Sequence, residues 1–158
     1  MIDDRPHGGL WLEELTPGLI VRHRIRRTVT ETDNIMFTTM TMNPAALHLD
    51  FDYAEKETQF GKPLVNSMFT AALIVGISVH ETTHGTTVAN LGFDSMNFPA
   101  PVFHGDTLNV ETEVISSRES SSKNDRGIVL FEHRAHNQNG ILVAIMRRNA
   151  LMLKRPID

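Results

Sequence analysis

A chain of 158 residues, 41% of them apolar, holds enough material for one globular domain with a substantial core. Its net charge of −4 excludes the basic field that a nucleic-acid binder presents, and the lack of any cysteine excludes disulfides and thiolate chemistry. No apolar run reaches the roughly 18 residues that a membrane helix needs. The start MIDDRPHGGLW is acidic, without the basic-then-apolar order of a secretion signal, so the expectation is a soluble cytoplasmic protein with no membrane or nucleic-acid partner.

After the Pro17-Gly18 turn, Ile20 to Val29 reads as a first strand. It carries the cationic run Arg22-His23-Arg24-Ile25-Arg26-Arg27. Like Arg147-Arg148, that run is either a solvated strand face or a contact for a phosphorylated ligand. A helix is predicted from Glu31 to Met40, with Thr30 as N-cap and Asp33 at the third helical position. A second short helix runs from Asp50 to Thr58 and ends before Gly61 and Pro63. The third, from Leu64 to about Thr83, has almost no polar face, so it is expected to be buried on nearly all sides, with a curved sheet wrapped about it.

Strand-length runs supply that sheet: Val88 to Phe98, Thr107 to Ile115, Ile128 to His136 and Leu142 to Leu153. Leu108, Val110, Thr112 and Val114 alternate with Asn109, Glu111 and Glu113, the pattern of a half-buried strand. The polar tract from Ser116 to Gly127 reads as a hairpin connection, and Asn137-Gln138-Asn139-Gly140 as the last turn. One strand, helices, then an antiparallel meander around a central helix is an α+β layout. It is the layout of a single hot-dog domain over residues 1–158, with its core at about 17–154.

The chemistry concentrates in Phe37 to Phe60, FTTMTMNPAALHLDFDYAEKETQF, where His48 follows the Asn43-Pro44 turn. Around it stand Thr30-Glu31-Thr32-Asp33, Phe60-Gly61-Lys62-Pro63-Leu64-Val65, Leu91-Gly92-Phe93 and Phe98-Pro99-Ala100-Pro101-Val102-Phe103-His104-Gly105-Asp106. In this order the pieces resemble the MaoC-like dehydratases, the (R)-specific enoyl-CoA hydratases, over about Pro17 to Leu153. The resemblance implies a hot-dog fold, an acyl-CoA substrate, and a homodimer or higher homo-oligomer with its pocket between subunits. It implies no metal or redox cofactor, because coenzyme A arrives as part of the substrate. The Asn-Pro-x-x-Leu-His pattern further resembles the branch acting on dicarboxyl-CoA esters such as mesaconyl-CoA or itaconyl-CoA.

Residue by residue, the resemblance makes His48 the catalytic histidine and puts Asn43 where the family has an aspartate. An amide cannot accept a proton as a carboxylate does. Asn43 therefore holds the water while His48 moves the protons, or Asp33, Asp50 or Asp52 supplies the base, or hydration is lost. Ser67 stands at the family's glycine, whose backbone N–H would point at the thioester carbonyl from the start of the central helix. Asn66 replaces the family's usual histidine, and a plain Asn66-Ser67 N-cap is the alternative reading. Gly92 either leaves room for the acyl chain or marks a strand bulge. His80-Glu81-Thr82-Thr83-His84 fits the zinc-peptidase pattern but falls at a helix end with no convincing third ligand. A hot-dog thioesterase and a non-catalytic acyl-CoA binder are the rival classes. The thioesterase's usual acid is missing, since Leu64 to Val79 contains none.

Overall fold

In the computed structural model, which describes residues 8–156, a single 3-10 turn (Leu12–Glu14) precedes two short strands, β1 (Ile20–Arg22) and β2 (Arg27–Thr28). Helices α1 (Glu31–Met40), α2 (Ala46–Leu49), α3 (Phe51–Glu57) and α4 (Ser67–Thr82) follow. Four long strands complete the chain: β3 (Thr87–Asn97), β4 (Thr107–Glu119), β5 (Arg126–His136) and β6 (Leu142–Leu153). The strands pair antiparallel in the order β1-β4-β5-β6-β3, with β2 also on β4. Helix α4 packs against β4, β5 and β6, which is the hot-dog arrangement. Residues 1–7, most of the segment read for a secretion signal, lie outside the described residues.

Local chemistry accounts for the boundaries. The Thr30 hydroxyl accepts from Asp33 N–H while the Asp33 carboxylate accepts from Thr30 N–H, so α1 begins where its capping pair predicts. Arg27 grips the same carboxylate with two bonds of 2.9 Å and pushes it down to about 2. Helix α4 starts three residues later than expected. The Asn66 side chain caps it by accepting from Met68 N–H, while Leu64 and Val65 stay extended and pair with Phe103 and Val102.

Three expectations need correction. The first strand is broken, because Glu81 at the end of α4 accepts from the ring of His23 (2.9 Å) and from Arg24 N–H (3.2 Å), which draws this segment off the ladder. The polar tract at 116–127 does connect a hairpin, but half of it is strand: Ser116 to Glu119 pair with Leu130 to Gly127, and the turn shrinks to 120–125. Composition misled there, because an edge facing water carries polar residues without losing its ladder. Helix α4 is also not enclosed: Met68, Ala72 and Gly76 are exposed along one side, and most of β3 is open.

The alternating face of β4 behaves as read, with Leu108, Val110, Thr112 and Val114 all buried. Two apolar clusters result. One gathers around α4 with Ile74, Ile77, Leu108 and Met146; the other lies beyond it with Leu15, Val114, Phe131 and Met152. Between them, Thr112, His133 and Arg148 occupy successive strands of the same face. Arg147-Arg148 is therefore not a surface pair. Arg147 points outward to Glu132 (2.9 Å), while Arg148 is buried beside His133 and over the Phe131 ring.

Candidate active site

The turn after α1 places Asn43. Asn43 N–H donates to Thr38 O and Met42 N–H to Thr39 O, a Schellman closure with Met42 in the left-handed region at φ 57°. Pro44 then prevents the helix from continuing. The Asn43 side-chain oxygen accepts from Ala45 N–H (3.0 Å), an Asx turn that leads directly into α2. Helix α2 was not foreseen, and His48 lies on it, nearly buried.

The state of His48 follows from one bond. Its Nδ1 lies 2.7 Å from the carbonyl oxygen of Leu64, and a carbonyl only accepts, so Nδ1 carries the hydrogen. In a neutral ring, Nε2 is then the basic nitrogen. No partner for Nε2 is found among the described residues. Asn43 is oriented in a complementary way, since its oxygen is spent on the Asx turn and its NH₂ remains to donate.

The three carboxylates offered as substitutes for an acid at position 43 are occupied. Asp33 is held by Arg27, Asp50 caps α3 by accepting from Tyr53 N–H, and Asp52 pairs with Lys56.

At the start of α4, Asn66 and Ser67 divide the work. Asn66 N–H donates to Asn34 Oδ1 (2.9 Å), and its side chain caps the helix while donating to Thr38 Oγ (3.3 Å). Ser67 N–H, the first of the helix, has no acceptor among the described residues. Ser67 lines a cleft of about 210 Å³ together with Phe60, Leu64, Thr70 and the Phe98–Val102 segment, with no charged side chain in the lining. Asn43 and His48 stand outside that lining, on the neighbouring turn and α2.

Gly92 is not brought to this group within one chain. It sits at a register shift of β3 with φ 132°, which a side chain would strain, so its backbone alone accounts for the glycine. The His80-Glu81-x-x-His84 motif is divided between the last turn of α4 and the residues after it, and Glu81 is committed to His23 and Arg24. Among the described residues, no group of three His, Cys, Asp or Glu is placed to hold a metal ion.

Sequence reading missed Asn34, Thr38 and His104. Asn34 and Thr38 are the buried residues of α1, one turn apart where an amphipathic helix normally buries apolar side chains. That inversion was the available signal.

The model of the MaoC like domain matches residues 14–134, more than half of the chain. The chain belongs to the MaoC-like dehydratase domain family. It is 28% identical over 151 residues to a mesaconyl-CoA hydratase of Cereibacter sphaeroides, covering 96% of this chain and 43% of that protein. It is 35% identical over 96 residues to an (R)-specific enoyl-CoA hydratase of Aeromonas caviae, covering 61% of this chain and 66% of the relative. The crystal structure of a MaoC-like dehydratase from Rhodospirillum rubrum superposes with a TM-score of 0.82 at 28% identity, covering 94% of this chain and all of that one. The MaoC-like chain thus spans less than half the length of the mesaconyl-CoA hydratase that it matches almost end to end.

Proposed function

We propose that this chain carries the hydration site of an (R)-specific 2-enoyl-CoA hydratase, running in either direction. The observation that carries the reading is a fixed Nδ1–H tautomer on His48, with Nε2 left without a partner among the described residues, on the short helix that directly follows the Asn43 turn. Water donates to Nε2 while its oxygen accepts from the Asn43 amide, so the amide orients and the imidazole takes the proton. The oxygen attacks C3 of the enoyl thioester, and the displaced electron pair reaches the thioester oxygen as an enolate. Ser67 N–H, at the positive end of α4, stabilises that oxygen. His48 returns the proton to C2, so water has been added across the double bond with no net acid or base consumed.

The names of the relatives support the thioester chemistry, and the mesaconyl-CoA hydratase supports a dicarboxyl substrate as the finer choice. The apolar cleft beside Ser67 suits a short acyl group. The thioesterase alternative gains nothing from the geometry, because the only acid of α4 is Glu81, at the far end and bound to His23. The proposed working unit is a homodimer. Support comes from the open edge of β3, where Val88, Leu91 and Phe93 are exposed, and from the uncovered side of α4.

Loss of enoyl absorbance with crotonyl-CoA, mesaconyl-CoA and itaconyl-CoA, blanked with His48→Ala, tests the reading. Turnover that needs His48 supports it, and the best substrate identifies the branch. A protein stabilised by acyl-CoA but silent on all three is a binder, and the hydratase reading falls.

A further inference from the structure

Asn34 lies at the centre of the polar contacts beside His48. This fully buried amide on α1 touches three separate pieces of the site. Its orientation is fixed by chemistry. Oδ1 accepts from the main-chain N–H of Asn66 (2.9 Å), so the nitrogen faces the other way. There it donates to Leu64 O (3.2 Å) and to His104 Nε2 (3.0 Å), with His48 O more distant at 3.4 Å. Leu64 O is the same carbonyl that takes the Nδ1–H of His48.

Two consequences follow. The Leu64 carbonyl is held from both sides, by the Asn34 amide and by the His48 ring, so its direction does not depend on His48 alone. In addition, His104 Nε2 must present a lone pair, because the amide nitrogen offers only hydrogens. A proton on that nitrogen would set N–H against N–H. Asn34 would then have to turn over, point its NH₂ at Asn66 N–H and release Leu64. The other groups facing His104 are the Phe51 ring on α3 and the charge of Glu31 on α1. Burial lowers the basicity of His104 more than Glu31 raises it, which agrees with a neutral ring.

We propose that Asn34 is a positioning residue. By fixing the Leu64 carbonyl it locks His48 in its Nδ1–H tautomer, and by the same amide it locks His104 as a neutral ring protonated on Nδ1. Among the described residues no carboxylate orients His48, and Asn34 supplies that orientation through one backbone carbonyl. The kinetic part of the test rests on the hydratase reading above; the spectroscopic part does not.

Nitrogen chemical shifts of ¹⁵N-histidine-labelled full-length protein at pH 7.5 report both tautomers directly. The expected result is Nδ1–H with unprotonated Nε2 on His48 and on His104. An Nε2–H ring at either position in the wild type overturns the proposal without any variant. In Asn34→Ser, which keeps a small polar group, His48 is expected to show mixed tautomers. Its kcat on the best enoyl-CoA should fall between about ten- and a hundredfold with KM changed less than about threefold. His104→Phe is the control, because it removes the second ring but leaves the Asn34–Leu64 contact, and His48 should keep its tautomer. A folded Asn34→Ser protein with an unmixed His48 tautomer sinks the idea. If no enoyl-CoA is turned over by the wild type, the hydratase reading fails while the tautomer measurement still decides the role of Asn34.

Discussion

Each end of α4 carries a buried hydrogen-bond network containing two histidines, and they differ in how they end. At the N-terminal end, Asn34, Asn66 and Thr38 fix the backbone around His48, and Nε2 of His48 is left open. At the C-terminal end every ring nitrogen is taken. Arg148 Nε–H donates to His133 Nε2 (3.2 Å), so His133 Nδ1–H must donate to Thr112 Oγ (2.8 Å). The Thr112 hydroxyl then donates to His23 Nε2 (2.7 Å), and His23 Nδ1–H donates to Glu81 (2.9 Å). The chain runs one way, from a guanidinium to a carboxylate. Burial does not separate the two networks, since His48 is 9% exposed and His23 8%. An unfilled ring nitrogen does. That contrast is the physical reason to assign chemistry to His48 and structure to His23 and His133.

The largest expected effect breaks the comparison at its first member. His48→Ala should lower kcat/KM for the best enoyl-CoA by two to four orders of magnitude, with urea unfolding close to wild type. His133→Ala should do the reverse. It leaves Arg148, whose Nη2 has no partner among the described residues, buried without its acceptor, and should cost about 3 kcal/mol of stability with turnover per folded molecule unchanged. Comparable activity losses from the two would erase the distinction.

Asn43→Ala comes next. With Asp33, Asp50 and Asp52 occupied, none of the three stands ready to replace the amide, so a loss of about tenfold in kcat is expected. Retention of the full rate would return the base to one of those acids.

The far network also predicts a pH dependence of stability. Burial, with the charge of Arg148 adding to it, pushes His133 down to about 3, and burial lowers His23 against the pull of Glu81. Both rings therefore stay neutral in the folded protein at pH values where the unfolded chain takes up protons. Stability is full above the unfolded histidine pKa of about 6.5 and declines as pH falls below it. His133 alone should remove about 2 kcal/mol between pH 7.5 and pH 5. Urea midpoints at the two pH values test this, and His133→Leu should flatten the slope.

What was legible in the sequence divides along the same line. Periodicity and turn chemistry gave α1 and β6 to the residue, because Thr30 and Asp33 cap locally and β6 alternates in a full ladder. The Asn43-Pro44 turn and His48 were visible as a spacing, and Asn66-Ser67 as a helix start. Helix α2 is four residues long and has no side-chain cap, so nothing local announced it. Asn34, His104 and the Arg148-to-Glu81 chain are long-range partnerships across as many as 89 positions, for His23 and Thr112, and no local pattern encodes them. Arg148 shows the limit most clearly, because beside Arg147 it read as surface charge, yet strand alternation turned it inward.

The smallest predicted effect concerns the turn that sets Asn43. Met42 holds φ 57° and is 88% exposed, so one chain gains little from a methionine there and bears the left-handed strain. Met42→Gly should relieve that strain, offset in part by the greater freedom of glycine in the unfolded chain, for a net gain of up to about 1 kcal/mol. If stability rises while kcat and KM hold, the turn alone positions Asn43, and the near-site network depends only on backbone geometry. If stability rises but KM for the acyl-CoA also rises severalfold, the exposed methionine is spent on the substrate or on a second subunit. The open side of the site would then extend from His48 Nε2 to the end of α1, a liability the closed network at the other end of α4 does not carry.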